Sequence, residues 1–370
     1  MMPEHRDAAF IDGQKVPLAA AVTHAAKLLA AARFPLVAGL GTDIDGARAA
    51  IALAERLRGA FEHMNSSAVF NTLDVLREAG MMLTTPGEVR VRADTVLLAG
   101  PGIADAWPEI WQRLALDMPP PLGEAGPRRV IWLAPGAAQG PVALTIDRID
   151  CPATALPATL AALRARMAGR AIGLAPVAIA GLDQIAAVLK AAKIGVAIWA
   201  QGDLAALDTE MLCGLVFDLN KVTRFSGLPI APGGNAAGVT LAAGWMTGFP
   251  MRTAFGRGYP EHDTWRFEAA RLIDCGEADA VLWIDAIQGP LPDWKLPLVA
   301  LTAAGAAFRT PPAVQIHVGC PGIDHDGVLH DAATGLLLAA PATQPSDAPK
   351  VADVVGSIAA ALGPEAAWPC

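Results

Sequence analysis

The chain reads as an α/β protein built from two doubly wound, Rossmann-like units. Two observations predict this. Short apolar runs closed by glycine, proline or a polar residue recur along the sequence, and alanine-rich stretches with helical spacing lie between them. PLVAGLG (35–41) comes first and has the continuous apolar character of a strand buried on both faces. DGARAAIALAERLRGA, starting at Asp45, then repeats apolar residues three and four apart, as a returning helix requires. TVLLAGP (95–101) and RVIWLAP (129–135) are the next strands, and CPATALPATLAALRARMAG, from Cys151, supplies a helix after them. IGVAIWAQG (194–202) precedes the helical LDTEMLCGLVFDLNK, while AVLWIDA (280–286) and PLVALT (297–302) complete the strand series. The residues that follow Gly227, as far as Arg252, are rich in Gly and Pro without a clear period, which predicts a binding or interface loop. Residues 341–349 read as an exposed connector to a last helix at 351–362.

Composition narrows the function. A net charge of -8 disfavours non-specific binding to nucleic acid or an anionic membrane. The uncharged run 225–251 is broken by Pro229, Pro232 and Pro250, which excludes a membrane-spanning helix there, and the acidic start MMPEHRDAAF does not resemble a signal peptide. A cytoplasmic protein is expected. With 53% apolar and 17% charged residues the surface would be unusually apolar unless partners cover part of it, which favours a subunit. The five cysteines are scattered, so neither a disulfide framework nor a local metal motif is expected.

Two local motifs invite chemistry. GLGTDIDG follows the first strand like a dinucleotide loop, but Ile44 stands where the third glycine belongs, and a plain strand-to-helix turn capped by Asp43 or Asp45 is the better reading. GIDHDGVLHDAATG carries Asp324, His325, Asp326, His330 and Asp331, which suits either a metal-dependent hydrolase or a hydrogen-bonded turn. The phosphate-loop, nucleophile-elbow and zincin signatures are absent.

GWMTGFPMRTAFGRGYPEHDTW (244–265) concentrates arginine, histidine, glycine and the only tyrosine in one stretch. It closely resembles a segment of the B subunits of formylmethanofuran dehydrogenases, W-x-T-G-F/Y-P-x-x-V-x-F-x-R-G-Y-P. PLVAGLGTDIDGARAAIALAERLRGA, TPGEVRVRADTVLLAGP and GEADAVLWIDA resemble further segments of that family in the same order, so the likeness covers most of the chain. The resemblance implies a molybdopterin-oxidoreductase-like fold with one α/β unit inserted in the other: 15–62 plus 193–335 as the first unit, 63–192 as the insertion, and 336–370 as connector and C-terminal helix.

The departures are chemical. The family's cysteine-rich N-terminal segment is missing, which implies no iron-sulfur domain. The family's metal-ligating cysteine aligns with Ala68 in NSSAVFNT and its adjacent histidine with Val69; in IAPGGNAAG, Ala231 and Gly233 stand where Arg and His belong, and Asn235 is kept. Alanine cannot ligate tungsten or molybdenum. The expectation is therefore no catalytic residue, no metal and no redox-active cofactor. Such a degenerate chain resembles the B subunits of the formyltransferase/hydrolase complexes of methylotrophic bacteria, pseudoenzymes in formaldehyde oxidation that work with A, C and D subunits on methylofuran. The alternatives are a tungsten- or molybdenum-pterin dehydrogenase subunit and an unrelated metal-dependent hydrolase.

The resemblance implies a methylofuran carrier with a polyglutamate tail, for which Arg252, Arg257, Tyr259, His262 and Asn235 are the candidate ligand-binding residues, since guanidinium forks suit carboxylates. Internal ion pairs of both arginines with Glu261, Asp263 or Glu268 are the competing expectation. Trp245, Phe249, Trp265 and Phe267 are candidate interface anchors, with core packing as the alternative.

Overall fold

The computed structural model describes residues 8–123 and 126–364; Cys370 and the end of the expected C-terminal segment lie outside the described residues. The chain forms two compact units, one from residues 8–66, 233–330 and 337–364, the other from 67–232 and 331–336.

The first stretch gives β1 (Ala9–Ile11), β2 (Gln14–Val16), α1 (Leu18–Ala31), β3 (Pro35–Gly41), α2 (Ile44–Arg56) and β4 (Ala60–Phe61). β3 is buried throughout, as its unbroken apolar sequence requires. Asp43 caps α2 by accepting the Gly46 N–H at 3.0 Å, so the acidic residue after the strand serves the helix start. α2 then buries Ala47, Ala50, Ile51 and Ala54, one face at helical spacing.

The second stretch contains α3 (Ser66–Ala79), α4 (Pro86–Arg92), β5 (Thr95–Ala99), α5 (Ile103–Ala106), α6 (Ile110–Leu114), β6 (Arg129–Leu133), β7 (Ile146–Ile149), α7 (Leu156–Met167), α8 (Ile179–Ala191), β8 (Ile194–Ala200), α9 (Ala206–Leu219) and β9 (Arg224–Ile230). Its five-stranded sheet runs β7-β6-β5-β8-β9, all parallel. Counted within the unit this is the order 3-2-1-4-5. Leu97, Ile131 and Ala197 pack into one face of the sheet with α7, α8 and α9; Leu98, Trp132 and Ile198 pack into the other.

The third stretch supplies α10 (Ala236–Thr247), β10 (Thr253–Ala254), β11 (Glu261–His262), α11 (Ala269–Asp274), β12 (Ala280–Asp285), β13 (Leu298–Thr302), β14 (Val314–His317), β15 (Gly327–Asp331), β16 (Leu336–Ala340) and α12 (Val351–Ala361). The nine-stranded mixed sheet runs β11-β10-β4-β3-β12-β13-β14-β1-β2. Its parallel centre, β4-β3-β12-β13-β14, has the order 2-1-3-4-5, with antiparallel strands added at both edges.

All six apolar runs read from the sequence are strands, and the chain is α/β with a mixed nine-stranded and a parallel five-stranded sheet. Two expectations are corrected. The inserted unit does not end near 192, because β8 pairs with β5 (Ala197 beside Leu97) and β9 with β8, which carries the insertion to Pro232. The segment 351–361 belongs to the first unit rather than standing apart. The expected loop after Gly227 instead contains the end of β9 and the whole of α10. AAGVTLAAGWMT has no polar face, so its helix leaves no amphipathic signature. Among the described residues no helix is long and apolar enough to cross a membrane.

Candidate functional site

In open α/β sheets, ligands bind beyond the carboxyl ends of the strands where the strand order reverses. Each unit has one such point. In the first it lies between β3 and β12, beside Gly41 and Asp285. The chain's own side chains crowd its glycines: a Cβ on Gly41 would stand 2.9 Å from both Asp285 Oδ1 and Met64 Cε, and one on Gly289 would stand 2.5 Å from Met64 Sδ, while Asp285 and Gly289 also line a pocket of about 220 Å³ with Gln288 and Leu291. The Gly39 position is likewise fixed from inside, since a Cβ there would meet the Ile284 carbonyl oxygen at 2.5 Å. Gly39 and Gly41 of the dinucleotide-like loop, and Gly289 after β12, make room for neighbours within the unit.

His63 closes the same region. Its Nδ1 accepts the Asn65 N–H at 2.9 Å, which leaves the proton on Nε2 to donate to the Gly234 carbonyl, also at 2.9 Å. Burial pushes its pKa down to about 4 against the favourable Gly234 contact, so the ring is neutral near pH 7. Asp285 accepts from the Ile287 and Gly289 amides at 3.3 and 3.0 Å, and burial raises its carboxyl above the ordinary range.

In the second unit the reversal lies between β5 and β8. There the Gly102 N–H donates to Asp203 Oδ2 at 2.9 Å, so a carboxylate already occupies the amide that a ligand phosphate would use. Burial raises the Asp203 carboxyl as well. A Cβ on Gly100 would stand 3.0 Å from Leu204 Cδ2, and one on Gly202 would stand 2.6 Å from the Ala68 Cβ. Ala68, in the first turn of α3, presents only this methyl group, and the neighbouring Val69 is buried. Neither Ala68 nor Val69 offers a donor atom to a metal.

The stretch 244–265 behaves differently from its expected role. Arg252 is buried at a φ of 58°, with Nε 2.6 Å from Glu62 Oε1, Nη1 2.6 Å from the Thr264 carbonyl and Nη2 3.1 Å from Glu268 Oε1. It is a structural cation, so its expected place on a carrier tail is corrected in favour of the internal pairing. Burial pushes the Glu62 carboxyl up against the pull of Arg252. Asn235 is also corrected: its Nδ2 donates to the Thr42 carbonyl at 2.8 Å and its Oδ1 accepts the His330 N–H at 2.9 Å. His262 sets Nδ1 3.0 Å from the Arg252 carbonyl and stacks on Phe249, with ring centroids 5.8 Å apart.

Arg257 and Tyr259 are exposed, with Nη1 of Arg257 3.5 Å from the tyrosine hydroxyl and 3.3 Å from Glu261 Oε1. Arg257 lines a pocket of about 500 Å³ with Arg33, Phe34, Gly256, Arg266 and Phe267. Arg33 and Arg266 were not marked by any sequence motif. Gly233 is exposed and uses its carbonyl to accept from Asn65 Nδ2, while Ala231 is half-buried. Trp245 and Trp265 stand 62% and 68% exposed and Phe249 39%, whereas Phe267 packs in the core with Leu272 and Val281, a correction to its expected interface role.

The Asp/His cluster serves its own turn. His325 is buried with Nδ1 2.8 Å from the Asp326 carbonyl, and Asp324 accepts from the Cys320 amide and the Ser346 hydroxyl. Among the described residues no three His, Cys, Asp or Glu side chains are placed to hold a metal ion.

No family model matches the chain. It is 36% identical over 357 residues to the B subunit of the formyltransferase/hydrolase complex Fhc of Methylorubrum extorquens, covering 95% of this chain and 96% of that one. It is 27% identical over 292 residues to the B subunit of the tungsten-containing formylmethanofuran dehydrogenase 2 of Methanocaldococcus jannaschii, covering 75% of this chain and 66% of that one. A chain in the crystal structure of the Methylorubrum extorquens formyltransferase/hydrolase complex (FhcABCD), determined with methylofuran, superposes with a TM-score of 0.86 at 34% identity, over 96% of this chain and 98% of that one.

Proposed function

The chain belongs to the family of B subunits of formyltransferase/hydrolase complexes, related to the B subunits of formylmethanofuran dehydrogenases, and we propose that it serves its complex without redox chemistry of its own. The fold is then that of a molybdopterin oxidoreductase built on two doubly wound units. The observation that carries this reading is Ala68, which offers no donor atom and packs so closely on Gly202 that a Cβ there would stand 2.6 Å from its methyl group. A metal-pterin dehydrogenase of the resembled family would need a sulfur or selenium ligand at that position.

In this reading the chain assembles with A, C and D subunits that convert formyl-methylofuran to formate, and it acts as a scaffold. It also contacts the carboxylate tail of the carrier through Arg257, Tyr259 and the adjoining Arg33. The support is chemical: exposed guanidinium groups bordering a pocket can grip successive carboxylates, and the arginines stand out on a chain of net charge -8. Arg252 and Asn235 take no part, being committed internally.

The test is an assay of the four-subunit complex with and without artificial electron acceptors. Formate release is expected to be independent of the acceptor, with no acceptor reduced. Acceptor reduction coupled to the formyl substrate, and abolished by removing this subunit, would overturn the proposal.

A further inference from the structure

We propose that the pocket at the carboxyl ends of β12 and β13, with the Asp285 carboxylate at its base, binds a small primary alkylammonium compound. This site is separate from the carrier contact, whose arginines line a different pocket.

Asp285 is the last residue of β12 and stands beside Thr302, the last residue of β13. It is buried, yet it lines the 220 Å³ pocket together with Gln288, Leu291, Ala303, Ala304 and Ala306. Gln288 turns the chain at a φ of 58°, which a residue with a side chain adopts only at a cost. That turn brings the Ile287 and Gly289 amides onto Oδ1 at 3.3 and 3.0 Å, so this oxygen is committed. Oδ2 accepts no hydrogen bond among the described residues, and it is not one of their fully buried orphan atoms. It is the oxygen that the pocket can reach.

The carboxylate also lacks a counter-charge. Burial pushes its pKa up and only backbone amides oppose the rise, with no arginine, lysine or histidine contributing among the described residues. A carboxylate buried without a cation is unfavourable, and a positive group in the pocket relieves it.

The geometry selects the kind of cation. A guanidinium fork or a vicinal diol engages both oxygens of a carboxylate, and here only one is available. A calcium ion takes about six to eight oxygen ligands, which walls of alanine and leucine do not supply. An ammonium group is a compact charge that Oδ2 can hold, with the exposed Gln288 carboxamide at the rim as a second acceptor. Its alkyl stem then packs on Ala303, Ala304, Ala306 and Leu291. The volume is below the roughly 300–1,000 Å³ of clefts for drug-sized ligands, which limits the occupant to a few carbons.

The experiment titrates the intact, natively purified complex calorimetrically with n-butylammonium, n-butanol and tetramethylammonium. Butylammonium is expected to saturate one site per copy of this chain. It should bind at least tenfold more tightly than n-butanol, which lacks the charge, and than tetramethylammonium, which has no N–H to donate. Asp285→Asn keeps the Oδ1 acceptor for the two amides and replaces Oδ2 by a donor, so it is expected to weaken binding at least tenfold with unchanged far-UV circular dichroism. Ala304→Phe, at an exposed position on the pocket wall, is expected to abolish binding by occupying the volume. Equal affinity for the three probes, or wild-type binding in either variant, would overturn the site. No saturable butylammonium binding to the wild-type complex would overturn it too, including the case in which a lysine of a neighbouring subunit already fills the pocket.

Discussion

Ala68 and Gly202 abut so closely that a Cβ on Gly202 would stand 2.6 Å from the Ala68 Cβ. The residue that lacks a metal donor is thus also packed against a glycine whose own φ of 87° leaves little choice of residue. Gly202→Ala is expected to destabilise the fold by about 1–3 kcal/mol, through both the positive φ and the overlap. Ala68→Gly in the same chain should recover the overlap component only. Denaturant midpoints of the single and double variants test this; fully additive losses would show that the two residues are not in contact.

Arg252 predicts a second contrast. Removing one partner of a buried pair leaves the other charge uncompensated, so Arg252→Ala is expected to cost about 3–5 kcal/mol. The exposed Arg257→Ala should leave the melting temperature near wild type. Thermal unfolding of both variants decides the matter, and equal melting temperatures would contradict the internal role of Arg252.

His63 gives the pH dependence. Its folded-state pKa, about 4, lies below the ordinary value of 6.5, so the unfolded chain binds the extra proton. The stabilising contribution is complete above pH 6.5 and is lost as the pH falls towards 4, amounting to about 3 kcal/mol in all. His63→Gln is expected to flatten that part of the stability profile. An unchanged slope in the variant would remove His63 as its cause.

The carrier contact makes a different prediction. Arg33→Ala combined with Arg257→Ala is expected to lower methylofuran retention severalfold and to weaken its salt dependence, with the complex still assembled. Full carrier content in the double variant would eliminate the tail contact, and loss of assembly would make these arginines interface residues instead.

The strands were legible because buried parallel strands are continuously apolar, and the start of α2 because Asp43 is a local cap. α10 was not, since a helix without a polar face has no period to read. The fate of Arg252 depends on Glu62, 190 residues away, and no local pattern encodes that pairing. Arg33 reaches the pocket beside Arg257 for the same reason: the fold, rather than spacing, brings them together. Ala68 is singled out as a position without a metal donor through family resemblance alone, whereas its packing against Gly202 required the structure.

The central expectation is that this chain, with Ala68 offering no donor, holds no redox metal. Elemental analysis of the intact, natively purified four-subunit complex, with tungsten, molybdenum and iron quantified against this subunit, tests it most directly. The account predicts no stoichiometric tungsten, molybdenum or iron associated with this subunit after the other subunits are analysed separately. One tungsten or molybdenum per copy of the chain, released together with a pterin on denaturation, would contradict it.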